Sequence, residues 1–541
     1  MTIMDPWIQE CLREWSSPTS PDEHIRLAEV MRLTQQAIEF VASATTDQNS
    51  DMNRQYEIML LKRQLESCES LFNAPIRHLP RDVLLDIFQL CDFSTRLELL
   101  HERSSNQLQI QTHDSFSLIS VCTTWYKLAS STPSLWSRLE IQIEDPNEVL
   151  SSRQILQHLD QTLHGMLKRT GQVPLDVSIH IEQYSPLAFP ILLPFLQECH
   201  RWKYLELQIP KEQLGDNKLG ELFRNGLQAL EVLKFELSRM DRALGVPAGV
   251  ICDWFSNARS LKKVEQNYVD LGLLTLSWEQ LETLHVYGFS DSYKSTNQHV
   301  NILSQAISLH TLEFGFEFTT ATSHTRPPSF KLSLPNIISL KTYFLADSQF
   351  FHHYFTLPNL TSLTVGGDDW SPGFLEQVSP TLRRLVFDDY PFHGFPVTFF
   401  TSSSNSSNIC FPQLKELIII RSYGVAEGSI TTIVPADLRK MFPKLALFQC
   451  KLGTESSDKL EIWFQVFCAL NSFSGITTQL TLRRPYLKDM KLYPVLRALR
   501  ERGTVIKCFE RSGIWGGVDK ESEVLWEEWA EQGVRDSYSE T

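Results

Sequence analysis

The chain has 541 residues, 42% of them hydrophobic and 11% aromatic, a composition that disordered chains lack and that supplies more than one packed core. With 64 acidic and 50 basic residues the formal net charge is -14, which repels phosphate backbones and anionic lipid surfaces and argues against nucleic-acid and membrane partners. The opening MTIMDPWIQECLREW has acids and two Trp where a signal peptide carries a basic start and an unbroken apolar stretch, and no run of about 18 apolar residues follows anywhere.

The 10 cysteines stand singly, with no C-x-x-C pair to suggest zinc or redox work. They read as free thiols in a reducing compartment, so a cytoplasmic or nuclear location is expected.

In chain order, Leu27, Val30, Met31, Ile38 and Val41 recur at mostly helical spacing over residues 24 to 41. Ile58, Leu61, Leu65, Cys68 and Leu71 do the same over 54 to 72, and the polar SATTDQNSD between them reads as a loop. These stripes suit ordinary packing or a helical hairpin better than a dedicated dimerisation helix. Residues 1–73 form this N-terminal helical region.

From 74 to 143, prolines at 75, 80 and 133 punctuate three short apolar-periodic stretches. Pro80 suits a first helical turn and Asp82 its positive end, while Val83, Leu84, Ile87, Phe88 and Cys91 share one face. Asp114 or Ser115 can cap a second helix whose stripe is Leu118, Val121, Cys122, Trp125, Leu128 and Ala129. Thr132-Pro133 opens a third, with Leu135 and Trp136. Residues 93 to 113 connect the first two.

Residues 144–200 are a linking α/β segment. From 201 to 455 a phrase recurs: leucine, two variable residues, an aliphatic, one variable residue, an apolar residue. Copies begin at Leu281, Leu309, Leu360, Leu382 and Leu414, weaker ones at Trp202, Leu230, Leu261, Ile337 and Phe442, with a period near 28. Such a phrase makes a short strand whose apolar residues point inward and whose middle residue faces out. Outward positions are Glu206, Lys234, Glu265, His285, Glu313, Thr364, Val386, Ile418 and Ala446, a row that turns from charged to apolar; Glu206, Lys234, His285, Glu313, Thr364, Val386 and Ile418 are offered as a substrate surface, and coverage of the apolar part by the segment after 455 carries equal weight. Several copies open Leu-Pro-Asn or Phe-Pro, where proline ends the preceding segment. After 455 the phrase fades, and 456–541 reads as a capping segment with an acidic tail; the Ser/Asn-rich TSSSNSSN is a loop.

Residues 76 to 139 resemble the F-box family, through IRHLPRDVLLDIFQLC and SLISVCTTWYKLASSTPSLWSRL, with residues 93 to 113 an insertion relative to the family's usual connection between these two halves. The resemblance implies docking on a Skp-type adaptor and, through it, a cullin, with Leu79, Pro80, Val83, Leu84, Ile87, Phe88, Leu118, Val121, Trp125, Leu128 and Trp136 as adaptor-binding candidates. Each of these is divided evenly between interface and internal core, because so small a helical unit needs several for itself.

With the downstream phrase, the chain resembles the leucine-rich-repeat class of F-box proteins, substrate-recruiting subunits of ubiquitin ligases. The implied fold is α + α/β: N-terminal helices and a three-helix F-box followed by an irregular leucine-rich-repeat solenoid that holds a protein substrate. No cofactor and no catalysis are expected, since H-E-x-x-H, G-x-S-x-G and Walker-type loops are absent from the sequence. The alternative is an interaction scaffold whose F-box does not engage the ligase.

Overall fold

The computed structural model describes residues 8, 10, 21–43, 51–73, 79–90, 95–102, 107–114, 121, 123–143, 153–183, 188–215, 217–238, 252–267, 271–290, 293–318, 331–343, 345–366, 372–389, 410–421, 439–452, 467–468, 470–471, 475–483, 493–510 and 520–522. Two compact units emerge, one comprising 1–230 with 238–240, the other 231–237 with 241–541.

The first unit opens with two helices, α1 (Pro21–Ser43) and α2 (Asp51–Asn73). Leu27 and Cys68 are fully buried together with Ile8, and Val30 and Met31 pack against them. Arg54 Nε donates to Val41 O at 2.7 Å, tying the start of α2 to the end of α1. Helix α3 (Arg81–Leu90) follows, then a β-hairpin of β1 (Thr95–Glu102) and β2 (Gln107–Asp114), helix α4 (Thr123–Ser130) and a 3-10 turn, Pro133–Trp136.

Strands β3 (Arg138–Ile143), β4 (Leu175–Ile181) and β5 (Trp202–Ile209) pair in parallel, with β1 parallel to β3. Helices α5 (Arg153–Thr170) and α6 (Ala188–Gln197) lie between them in sequence, and α7 (Asn217–Gly226) follows β5. Leu139, Ile141 and Ile143 stand opposite Val177, Ile179 and Ile181, all buried, as alternation on one buried face requires. Helix α5 ends where Gly171 takes φ +55°, and the buried guanidinium of Arg201 donates to Gly171 O and to Thr170 Oγ1 at 2.5 and 2.7 Å. A carbonyl otherwise orphaned at the helix end is thereby satisfied.

The second unit stacks parallel strands in chain order: β6 (Val232–Leu237), β7 (Lys263–Asn267), β8 (Thr283–Ser290), β9 (Thr311–Phe318), then, past the two-residue pair β10 (Leu332–Ser333) with β12 (Phe355–Thr356), β11 (Ser339–Thr342), β13 (Ser362–Gly366), β14 (Arg384–Asp389), β15 (Glu416–Arg421), β16 (Leu447–Leu452), β17 (Thr477–Arg483) and β18 (Val505–Glu510). A short β19 (Lys520–Ser522) closes antiparallel on β18. Helices α8 (Tyr293–Gln305), α9 (Leu345–Tyr354), α10 (Pro372–Val378) and α11 (Tyr493–Glu501) sit in the connections.

One inward column runs in register through Leu233, Val264, Leu284, Leu312, Leu340, Leu363, Leu385, Leu417 and Phe448, each at most 1% exposed. Each such burial contributes roughly 1.5–3 kcal/mol before chain entropy is set against it. Where the strands begin, the carbonyls of Glu231, Lys262, Glu282, His310, Ile338, Thr361, Arg383 and Lys415 each accept two N–H donors from the next strand start, at 2.8 to 3.2 Å. This shared-acceptor ladder fixes the register that the side-chain columns display.

The architecture corrects the expectation of N-terminal helices, a three-helix F-box and an irregular leucine-rich-repeat solenoid. It is an α/β arrangement of parallel strands with helices in the connections, and strand formation already begins inside 74–143. Residues 95–102 and 107–114, which fill most of the expected insertion and reach one residue past it, are an antiparallel pair whose first strand also pairs with β3; Asp114 is the last residue of β2, and 115–120, where the second helix was expected to open, lie outside the described residues. The third expected helix is a single 3-10 turn, with Pro133 at its start and Thr132 Oγ1 donating back to Leu128 O at 2.8 Å. The TSSSNSSN segment and the acidic tail after 522 lie outside the described residues.

Candidate interaction surfaces

Helix α3 has two apolar sides. Its inner one, Leu84 and Phe88, joins Leu128, Ala129, Leu135 and Trp136 in a buried cluster against which Leu79, Leu85 and Trp125 pack. The Phe88 and Trp125 rings meet edge to face, centroids 4.7 Å apart, and Trp136 Nε1 donates to Ala129 O at 2.8 Å. The Arg169 guanidinium lies over the Trp136 ring, 4.8 Å from its centroid.

On the outer side Val83, Leu90 and, from α4, Tyr126 are 37%, 84% and 50% exposed; Val121 is 49% exposed, Pro80 is exposed and Ile87 half-buried. Of the adaptor candidates, then, Leu84, Phe88, Leu128 and Trp136 are internal core, and Leu79 and Trp125 line it. Pro80, Val83 and Val121 are exposed, Ile87 is half-buried, and Leu118 lies outside the described residues. Leu90 and Tyr126, exposed apolar residues that the sequence reading did not single out, add to this surface, Leu90 seven residues after Val83 and two helical turns along the same side.

A second surface lies on the outward side of the sheet in the second unit. Lys234, Glu265, His285, Glu313, Lys341, Thr364, Val386, Ile418, Gln449 and Gln479 stand side by side in one register row. Glu265 is held at 2.7 Å by Lys263, and His285 Nδ1 lies 3.5 Å from carboxylate oxygens of both Glu265 and Glu313. Two residues further along the strands, the Tyr287 and Tyr343 hydroxyls meet on Oε1 of Glu313 and lie against each other, two protons serving the three close contacts, while Lys341 reaches Glu313 at 3.2 Å and Asp388 at 3.6 Å.

These contacts set the protonation states. His285, with Lys263, holds the Glu265 carboxyl down at about 2. Burial pushes the Glu313 carboxyl up, but the two tyrosine hydroxyls, Lys341 and His285 outweigh it and leave its pKa lowered. Both tyrosines are pushed up, first by burial and then by the carboxylate they bond, so they remain donors. Gly315 stands between the two rings: a Cβ there would lie 2.9 Å from Tyr343 Cδ2 and 3.1 Å from Tyr287 Cδ1.

Among the substrate-surface candidates, Lys234, His285, Glu313 and Thr364 are partly exposed on this row, and Glu206 occupies β5 of the first unit, accepting from Tyr204 Oη at 3.2 Å. Val386 and Ile418, the apolar part of the expected surface, are only 5% and 7% exposed despite pointing away from the inward column. The row therefore offers no open apolar patch at β14 and β15. At β16 the outward residue is Gln449, and Ala446 lies ahead of the strand, because the phrase restarts at Leu445 and not at Phe442. The pair Tyr287 and Tyr343 was not singled out from sequence, since it forms only once strands 56 residues apart come into register.

A groove of about 540 Å³ runs along the strand-start edge from His310 through Asn336, Ile338, Thr361 and Arg383 to Gln413. The Leu-Pro-Asn motifs build it: Asn336 Nδ2 donates to Ile307 O, and Asn359 Nδ2 to Pro335 O at 2.8 Å, each amide holding the segment before it. Among the described residues no group of three or more His, Cys, Asp or Glu is placed to hold a metal ion, and no helix is long and apolar enough to cross a membrane. No protein-family model matches the chain, and no curated protein matches it.

Proposed function

We propose that the chain is a substrate-recruiting subunit of a Skp-cullin-F-box ubiquitin ligase, cytoplasmic or nuclear, and itself without catalytic chemistry. The observation that carries this reading is the second apolar side of α3. A helix that buries Leu84 and Phe88 internally while keeping Val83 and Leu90 in solvent has a side left over for a partner helix or groove. With the F-box resemblance of residues 76 to 139, that partner is a Skp-type adaptor bound to a cullin.

The outward row of the second unit, centred on His285 and Glu313 with Lys234 and Thr364, is the substrate surface, with Glu206 in the first unit; Val386 and Ile418 are withdrawn from it by their burial. Ubiquitin transfer then gains from effective concentration, as substrate lysines are held near the charged conjugating enzyme.

The test is capture of purified adaptor and cullin by the full chain. Binding is expected, and the double substitution Val83→Glu, Leu90→Glu abolishes it without loss of folded protein by circular dichroism. Capture that survives this substitution rejects the assigned face. The β1–β2 hairpin between α3 and α4 favours a second reading, an interaction scaffold whose helical module does not engage the ligase. Absence of capture by the unsubstituted chain selects it.

A further inference from the structure

We infer that the groove at the strand-start edge of the second unit binds an extended, carboxylate-rich peptide segment, with Arg383 as its anchoring cation. The inference does not depend on the helical module or on ligase assembly.

The first ground is charge. In a chain of net charge -14, none of the residues lining this groove is a carboxylate, whereas Arg383 lines it. Arg383 is exposed and makes no ion pair among the described residues. Lys415, also exposed, follows Arg383 in the backbone ladder, its N–H donating to Arg383 O at 2.8 Å. Lys444 lies alongside, donating to Gln413 Oε1 at 2.8 Å. The nearby carboxylates are already engaged elsewhere: Glu416 with Arg384 at 3.6 Å, Glu282 with Lys262 at 3.4 Å. An incoming carboxylate thus meets cations without a competing internal anion, and the Arg383 fork can take it with two parallel hydrogen bonds.

The second ground is shape. The groove crosses the starts of β9, β11, β13, β14 and β15, five strands at about 4.8 Å spacing, a span of roughly 19 Å that about six extended residues cover. Along that path Asn336, Asn359 and Gln413 present side-chain amides. One N–H of each asparagine is committed to the ladder, and the amide oxygen and second N–H remain to meet a peptide backbone. Ile338, 45% exposed, supplies an apolar contact midway. Amides at three of the five strand starts, apolar contact from Ile338, Pro335 and Pro380, and cations at one end fit an extended acidic segment better than a compact ligand.

The experiment measures fluorescence anisotropy of a fluorescein-labelled dodecapeptide of alternating Glu and Ser, titrated with the full chain at low salt. Saturable binding is expected, weakened as salt rises, and Arg383→Glu lowers the affinity at least tenfold. Arg497→Glu, which makes the same charge change on the exposed face of α11, leaves it within twofold. No saturable binding overturns the proposal, as does equal loss in both variants, which reports net charge alone. A parallel peptide with phosphoserine replacing Glu decides the anion: binding of that peptide alone overturns the carboxylate assignment.

Discussion

Tyr287 and Tyr343 lean together across Gly315, their ring centroids 4.8 Å apart and both hydroxyls on the same oxygen of Glu313. The missing side chain at 315 is what lets the rings approach, because any Cβ would sit inside the normal contact distance of both. The same carboxylate takes Lys341, whose ammonium also lies 4.6 Å from the Tyr343 ring centroid.

Gly315→Ala therefore forces the tyrosines apart and is expected to cost about 1–3 kcal/mol in urea unfolding. Gly165, inside α5, has nothing within 4 Å of where its Cβ would be, so Gly165→Ala is expected to stabilise by about 0.5–1 kcal/mol through helix propensity. Equal effects of the two substitutions would remove the steric account of the notch.

The acid side of the stability profile reports on Glu265. Its folded pKa, about 2, lies below the ordinary 4.5, so its contribution is fully present above pH 4.5 and is lost as pH falls toward 2. The groups facing it are His285 and Lys263, with Glu313 beyond the imidazole. Solvent at this half-buried site holds the contribution to about 1 kcal/mol. Glu265→Gln is expected to flatten the loss of stability between pH 4.5 and 2, followed by urea midpoints at each pH. A profile identical to that of the parent chain would show that the pairing contributes nothing.

The two sides of α3 predict opposite mutational signatures. Leu84 is 4% exposed in a packed cluster, and Leu84→Ala is expected to cost about 2–5 kcal/mol of stability. Leu90 is 84% exposed, and Leu90→Ser is expected to stay within about 0.5 kcal/mol while weakening adaptor capture. Thermal unfolding and capture measured on both variants separate core from contact face; a large stability loss in Leu90→Ser would remove that residue from the proposed face.

Sequence periodicity located most strands of the second unit because their burial alternates with period two: Leu284 and Val286 inside, His285 out. It misplaced the copy near 442, where Phe442-Pro443 imitates an opening that belongs to Leu445, and so named Ala446 in place of Gln449. The hairpin at 95–114 also carries alternation, Leu97 and Leu99 opposite Thr112 and Ile110, yet its length against the usual connection between two F-box halves made it read as an insertion. For Val386 and Ile418 the sequence left an open partner site and a covered one equally weighted, since what a strand's outer side meets depends on segments outside that strand, and their burial excludes the open one. Likewise the interface-or-core division in α3 needed the packing partners Leu135 and Trp136, which local spacing does not assign.

The asparagines of the Leu-Pro-Asn motifs give the last prediction. Asn359 Nδ2 donates to Pro335 O at 2.8 Å, bridging one strand start to the one before it. Asn359→Ala removes the donor and is expected to cost about 0.5–1.5 kcal/mol. Asn359→Asp keeps the shape but turns an oxygen toward the carbonyl, so at neutral pH it is expected to cost at least as much as Ala. Below about pH 4 the introduced carboxyl protonates and can donate again, so the Asp variant is expected to regain stability relative to the Ala variant as pH falls. Urea midpoints of the two variants at pH 7 and pH 3 decide it: a constant gap between them would mean that the amide acts only by filling space, and that the motif's asparagine does not hold the preceding segment through its hydrogen bond.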